Sequence, residues 1–372
     1  MIHKRLILLG IALIIITLLI TPSPCISAAT EGLLLWFNKV LPSLLPFIIL
    51  INLLVGLNML EPLSKHLSPI TQKFWHMPGA VGFAFLMGLM AGYPMGAKII
   101  TGLVKQKTLT LAQGEKALCF CNNCGPLFII GTVGTILLQN TQLGYFLLFI
   151  HILSAIIMSF LLTAYKIPFY VQKSSHNTLN SDFHFAPAFT KAVEDGMDTI
   201  VCVGGYIIFF SVLTHIFMDS IVFKVYLNFP LIKTLSPALV QGIFTGILEL
   251  SNGVGSFSKA FMNTPSIYTL AFLAASISFG GFCVYFQTLF VLGDIPFSTK
   301  PYLLCKLFEG ILSFLLTCVF YPMFFMYTSK TTLYYSLIWG FIMLISLSIF
   351  YTVINNFSSP ICKSQKTHLN KS

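Results

Sequence analysis

Charged side chains are scarce in this chain. Asp and Glu together number 11, and all charged residues make up 9% of the 372 positions, against about a quarter in soluble domains. So few charges cannot wet a whole protein surface, which excludes a soluble fold. Polar connections are equally few, residues 166–198 being the one long example. Hydrophobic residues fill the remainder, at 56% with a mean hydropathy of +0.87. That is the composition of a polytopic membrane protein.

Other absences narrow the function. There is no H-E-x-x-H, no nucleophile elbow and no pair of intramembrane aspartates, Asp294 standing in a loop after Gly293, so nothing points to an enzyme. The run from Gly92 to Lys98 lacks the glycine spacing and the final Ser or Thr of a P-loop. Nine cysteines lack the even loop spacing of a disulfide framework and read as small buried hydrophobes. Cys119, Cys121 and Cys124 form C-x-C-x-x-C without a fourth ligand nearby, so no metal and no cofactor is assigned. The net charge of +10 lies mostly in short loops between apolar runs, which is membrane topology and not a nucleic-acid footprint.

The first twenty residues combine a basic start (His3, Lys4, Arg5) with an apolar run. They read as an anchor helix, although Ser27-Ala28-Ala29 also resembles a signal-peptidase site. Further apolar segments occupy 36–60, 80–104, 113–137, 143–165, 197–218, 237–258, 267–292, 302–327 and 333–355, each near the ~20 residues that a crossing helix needs. Two are broken by unusual chemistry. One contains Gly88-Leu89-Met90-Ala91-Gly92-Tyr93-Pro94-Met95-Gly96-Ala97-Lys98, the other Phe120-Cys121-Asn122-Asn123-Cys124-Gly125-Pro126-Leu127-Phe128. At membrane depth, non-helical backbone survives only inside protein or along a cavity, so these breaks mark a candidate binding site.

An offset of 156 to 160 residues superimposes the two halves of the chain, setting Gly88 on Gly246 and Gly125 on Gly281. The second-half counterparts of the breaks are Gly246-Ile247-Leu248-Glu249-Leu250-Ser251-Asn252-Gly253-Val254-Gly255 and Ser276-Ile277-Ser278-Phe279-Gly280-Gly281-Phe282-Cys283. Paired broken segments at matching places point to a transporter. With an inside N-terminus and Lys98 set aside as intramembrane, the Lys and Arg residues divide 15 inside to 5 outside if 80–104 and 237–258 are re-entrant hairpins, but 11 to 9 if both cross. The positive-inside rule favours hairpins. Each half then has three crossings, an odd number, which inverts the second half. The expected fold is an all-α polytopic membrane protein with an anchor (1–30), a first repeat (31–165), a cytoplasmic-side linker (166–196), a second repeat (197–328), and a last helix with a basic tail (329–372).

These motifs carry a resemblance. Leu41-Pro42-Ser43-Leu44-Leu45-Pro46-Phe47, the Gly-Tyr-Pro-x-Gly-Ala-Lys run, Asn122 to Phe128 and Glu249 in Gly-x-x-Glu together resemble the sporulation integral membrane protein YlbJ family. That family is grouped with nucleoside-recognition gate domains, whose relatives include concentrative nucleoside transporters with two re-entrant hairpins. The resemblance implies a spore-forming bacterium, a multi-pass protein of the cell membrane or forespore outer membrane, and movement of dipicolinate. This sequence departs from the pattern in placing Cys121 and Cys124 around the asparagine pair, and in its linker.

The expected substrate contacts are Tyr93, Lys98, Asn122, Asn123, Glu249, Ser251 and Asn252. Gly92, Pro94, Gly96, Gly125, Pro126, Gly253, Gly280 and Gly281 are expected to break the helices. Lys98 and Glu249 are expected to approach each other near the midplane, Lys98 neutralising a substrate carboxylate and Glu249 carrying a coupling proton, or else to form a fixed ion pair. Lys306 and Glu309, spaced i,i+3, are read as a simple pair near a helix end. The implied partners are the lipid bilayer, a small anionic substrate, a coupling proton or cation and, as an open option, further copies of the chain. A nucleoside permease and a non-transporting structural protein of spore assembly are the alternatives.

Overall fold

A computed structural model describes residues 2–57, 59–164, 185–229, 235–325 and 336–353. Every regular element among them is helical, and six helices are long and apolar enough to cross a bilayer. The chain is an all-α polytopic membrane protein.

After α1 (Ile2–Ile20), a single order of elements occurs twice. In the first pass, α2 (Pro22–Leu35) continues through a π-helical turn, Trp36–Val40, into α3 (Leu41–Gly56), making one 35-residue rod. There follow the short α4 (Leu60–Trp75), the pair α5 (Gly79–Ala91) and α6 (Met95–Lys105), then α7 (Leu111–Cys121), which breaks before the π-helix Leu127–Leu137, and α8 (Thr141–Leu161). The second pass opens with another 35-residue helix, α9 (Phe185–Asp219), and the short α10 (Ile221–Leu227). It continues with the pair α11 (Pro237–Leu248) and α12 (Leu250–Asn263), then α13 (Ile267–Phe279), which breaks before α14 (Gly281–Leu292), and α15 (Thr299–Phe325). The last described helix is α16 (Ser336–Val353).

Local chemistry sets many of these boundaries. Thr110 and Gln113 form a reciprocal capping box at the start of α7, and Asn140, Ser220, Ser236 and Ser266 each accept an N–H from the first turn of the helix that follows. The two helix pairs are hairpins because small residues let their arms touch. A Cβ on Gly253 would collide with the Gly246 backbone, one on Gly88 would come within 3.1 Å of Gly96 Cα, and one on either Gly88 or Gly96 would also collide with the carbonyl of Cys121 in α7. Helices α5 and α13 are buried on most sides, which suits their nearly unbroken apolar sequences.

Contacts gather the helix ends into two sets. At one, Trp75 donates to Ser159 at 3.0 Å, Asn52 donates to the Ala192 carbonyl, and Glu115 accepts the Ser298 amide at 2.6 Å. At the other, Tyr268 packs on Trp339 and Phe146 on Phe325. The open end of the α5–α6 hairpin belongs to the first set, that of α11–α12 to the second.

Three boundaries differ from the expectation. The first long rod begins at Pro22 and not at residue 31, so Ser27 and Ala28 are helical; the neighbouring Gly32 packs against Ser211 of α9, which ties this segment to the bundle. Residues 185–198, part of the polar connection 166–198, are early turns of the continuous α9, which starts at Phe185. Gly96 and Gly253 lie inside helices, where they permit close approach, while the actual interruptions are Gly92-Tyr93-Pro94 and Glu249. Residues 166–184, with Ser174 to Asn177, and the tail 354–372 lie outside the described residues.

Candidate functional site

Both hairpin tips and both helix breaks converge. Gly92 turns the first tip with φ +83°, a left-handed conformation that favours glycine, and a Cβ there would stand 2.8 Å from the Gly125 amide. Tyr93 reaches from that tip to the second half, donating to the carbonyls of Ser278 (3.0 Å) and Ile277 (3.3 Å) beside the Gly280 break. At the second tip, Glu249 accepts the Ser251 and Asn252 amides at 2.9 and 2.7 Å and so caps α12. Gly281, next to the second break, lies against the carbonyls of Gly246 and Ile247.

Between these elements lies a cavity of about 50 Å³, lined by Ser43, Tyr93, Gly125, Glu249, Ser251 and Gln287 among others. At about 10–15 Å³ for each water, it has room for a few waters. Pockets for drug-sized ligands run to about 300–1,000 Å³, so in this conformation the tips are closed together.

Beside the cavity runs a buried polar network. Asn122 donates to Thr288 (3.0 Å) and Tyr302 (2.8 Å), and Asn123 donates to the Phe120 carbonyl at 2.7 Å. Lys306 donates to Asn123 Oδ1 at 3.3 Å and to Glu309 at 2.6 Å, with its Nζ 5.4 Å from the centre of the Tyr93 ring. His151 joins the two breaks. Its Nε2 accepts the Cys124 amide at 3.0 Å, which leaves the proton of a neutral ring on Nδ1, 2.8 Å from Ser278 Oγ. Ser313 continues the chain, 2.6 Å from Ser278 and 2.9 Å from Ser154.

The chain is similar to the sporulation integral membrane protein YlbJ of Bacillus subtilis (strain 168), at 28% identity over 318 residues, which cover 79% of this chain and 77% of that protein. This match supports the YlbJ-family resemblance that the motifs carry. No family model matches it, and no solved structure does.

The residues singled out in the sequence fall into three groups. Tyr93, Glu249 and Ser251 line the cavity, with Gly92 and Gly125 among the break residues. Asn122 and Asn123 are fully buried, and their side chains are bonded to protein. Lys98 and Asn252 are turned to α9: Lys98 donates to Thr199 Oγ1 (2.7 Å) and the Asp195 carbonyl (3.1 Å), and Asn252 donates to Ser211 at 2.8 Å. Lys98 and Glu249 therefore have separate partners, and no ion pair joins them.

Sequence reasoning passed over His151 and Gln287, and it read Lys306 and Glu309, which do pair, as lying near a helix end. Lys306 and Glu309 are 2% and 0% exposed, in the interior of α15 and not near its end. Their signal was present, as two charges in the apolar run 302–327, but an i,i+3 pair is the usual mark of a helix surface.

Proposed function

We propose that this chain carries a small anionic solute across a bacterial membrane during sporulation, and that the solute is dipicolinate crossing a forespore membrane. The observation that carries this reading is the meeting of Tyr93, at one hairpin tip, and Glu249, at the other, on one cavity beside interrupted helices. Interrupted helices facing each other from two halves are the usual construction of a transporter site. The reading takes the two passes as an inverted repeat, with hairpins entering from opposite faces. Two observations support it. The Glu115–Ser298 hydrogen bond brings residues 105–116 close to the loop before Lys300, as the charge distribution requires. That distribution remains 14 to 5 after Lys306 is set aside as buried.

A nucleoside permease is the second reading. It is favoured by the cavity wall, where Ser43, Ser251 and Gln287 are neutral and no Lys or Arg occurs among the described residues. Uptake of labelled dipicolinate by vesicles with and without the protein, with unlabelled uridine or dipicolinate as competitor, separates the two. Uptake blocked only by dipicolinate supports the anion reading; uptake of uridine in its place overturns it.

A further inference from the structure

Among the described residues the cavity wall holds a carboxylate but no cation, so an anion entering it would need a positive charge from elsewhere. The nearby cation is Lys306, which stands beside Tyr93, and Tyr93 lines the cavity. Lys306 has three N–H donors. Two are used, on Asn123 and Glu309; among the described residues no third hydrogen bond is made, and the centre of the Tyr93 ring lies 5.4 Å from the Nζ. Glu309 is incomplete in the complementary way: Oε2 meets Lys306, while Oε1 is buried with no hydrogen-bond partner among the described residues. An unpaired carboxylate oxygen in a buried setting is costly, and a buried ion pair is seldom kept for stability alone.

We propose that Lys306 is the binding group for one carboxylate of the transported anion, that Tyr93 screens it from the cavity, and that Glu309 takes up a proton as Lys306 changes partner. This rests on the anion-transport reading above. The incoming carboxylate displaces the Tyr93 ring and accepts from Lys306, which releases Glu309 Oε2. Charge balance dictates the rest. Among the described residues, the ionisable neighbours of the pair are Tyr93 on the first hairpin, Cys121 and Cys124 at the end of α7 and in its break, His151 on α8, and Tyr302 and Cys305 on α15. Thiols, phenols and an imidazole that accepts an amide N–H are neutral, so Lys306 and Glu309 are the charges of this cluster. The carboxylate bound to Lys306 would leave Glu309 as one uncompensated negative charge in the membrane interior, in addition to any further carboxylate the anion carries. A proton from the water that admits the anion, forming an O–H bond on Glu309, removes that charge. Its release with the anion on the other side completes the cycle.

The test uses the full chain in detergent, with dipicolinate as probe, and reads calorimetric binding in buffers of different ionisation enthalpy to count protons. Glu309→Gln is expected to bind dipicolinate while taking up one proton fewer than the unaltered chain. Lys306→Met combined with Glu309→Gln removes both charges and so avoids a lone buried ion; it is expected to insert normally and to bind about ten- to a hundredfold more weakly, the worth of a charge-assisted hydrogen bond. Equal proton counts in the unaltered chain and Glu309→Gln, unchanged affinity in the double variant, or no binding by the unaltered chain would each overturn the proposal. Vesicle uptake separates the two readings. Binding with the expected proton count but without uptake removes the transport reading alone, and uptake retained by the double variant removes the Lys306 site alone.

Discussion

Tyr93 and Ser278 lie 185 residues apart and are joined by a hydrogen bond of 3.0 Å from the phenol to the backbone carbonyl. The bond fastens the tip of the first hairpin to the interrupted helix of the second half, directly beside the cavity. Tyr93→Phe keeps the ring over Lys306 but leaves two buried carbonyls short of a donor. It should lower stability by about 1–3 kcal/mol, seen as a lower thermal inactivation midpoint in detergent. It should also raise the reactivity of a cysteine introduced at Ser43 on the cavity wall. An unchanged midpoint would mean that the tip is held by other contacts.

Gly253 and Gly255 provide an internal control on the second hairpin. A Cβ at Gly253 would strike the Gly246 backbone, whereas one at Gly255 meets nothing within 4 Å. Gly253→Ala should force the arms apart and cost about 1–3 kcal/mol or more. Gly255→Ala, at an open helical position, should be neutral or stabilising by up to about 1 kcal/mol. Thermal denaturation of the two variants side by side decides the matter, and equal behaviour would contradict close packing of the hairpin.

Lys98 and Glu249 each have their own partners, so their substitutions should act independently. Lys98→Met removes donors from Thr199 and the Asp195 carbonyl, and Glu249→Gln weakens the cap on α12. In a double-mutant cycle the two effects should add to within about 0.5 kcal/mol, and the charge-reversed pair Lys98→Glu with Glu249→Lys should fail to restore stability. Rescue by that reversal would show that the two side chains do interact.

Much of the architecture can be read from the sequence, because hydropathy, loop charge and Gly/Pro breaks are strong one-dimensional signals in a membrane protein. The breaks at Gly92 to Pro94 and at Gly125, and the position of Tyr93 and Glu249 at the tips, come from such signals. What stays hidden depends on three-dimensional pairing. The repeat sets Lys98 and Glu249 at nearby positions on the two hairpins, yet α9 captures Lys98 while Glu249 turns back on its own helix. Lys306 and Glu309 look like a surface pair in one dimension, because helical spacing gives no sign of which face of α15 is buried. Glycine poses a related ambiguity: Gly92 shapes a turn while Gly253 only makes room, and composition does not distinguish the two uses.

The last prediction concerns the sides of the membrane. If α5–α6 is a re-entrant hairpin, the chain before Gly79 and the chain after Lys105 emerge on the same face. The Glu115–Ser298 bond adds the loop after Leu292 to that face. The second hairpin should open on the other face, where α10 and the turn after Asn263 lie. Lys73, Gln106, Asp294, Asn228 and Asn263 are all exposed, and so accept a single reporter cysteine each. The eight described native cysteines are buried except Cys202, which is partly exposed, so replacing Cys202 and Cys362 lowers the labelling background. An impermeant maleimide applied to right-side-out and inverted vesicles should label Lys73→Cys, Gln106→Cys and Asp294→Cys from one side, and Asn228→Cys and Asn263→Cys from the other. Opposite labelling of Lys73→Cys and Gln106→Cys would turn α5–α6 into a full crossing, and the inverted repeat would fall with it.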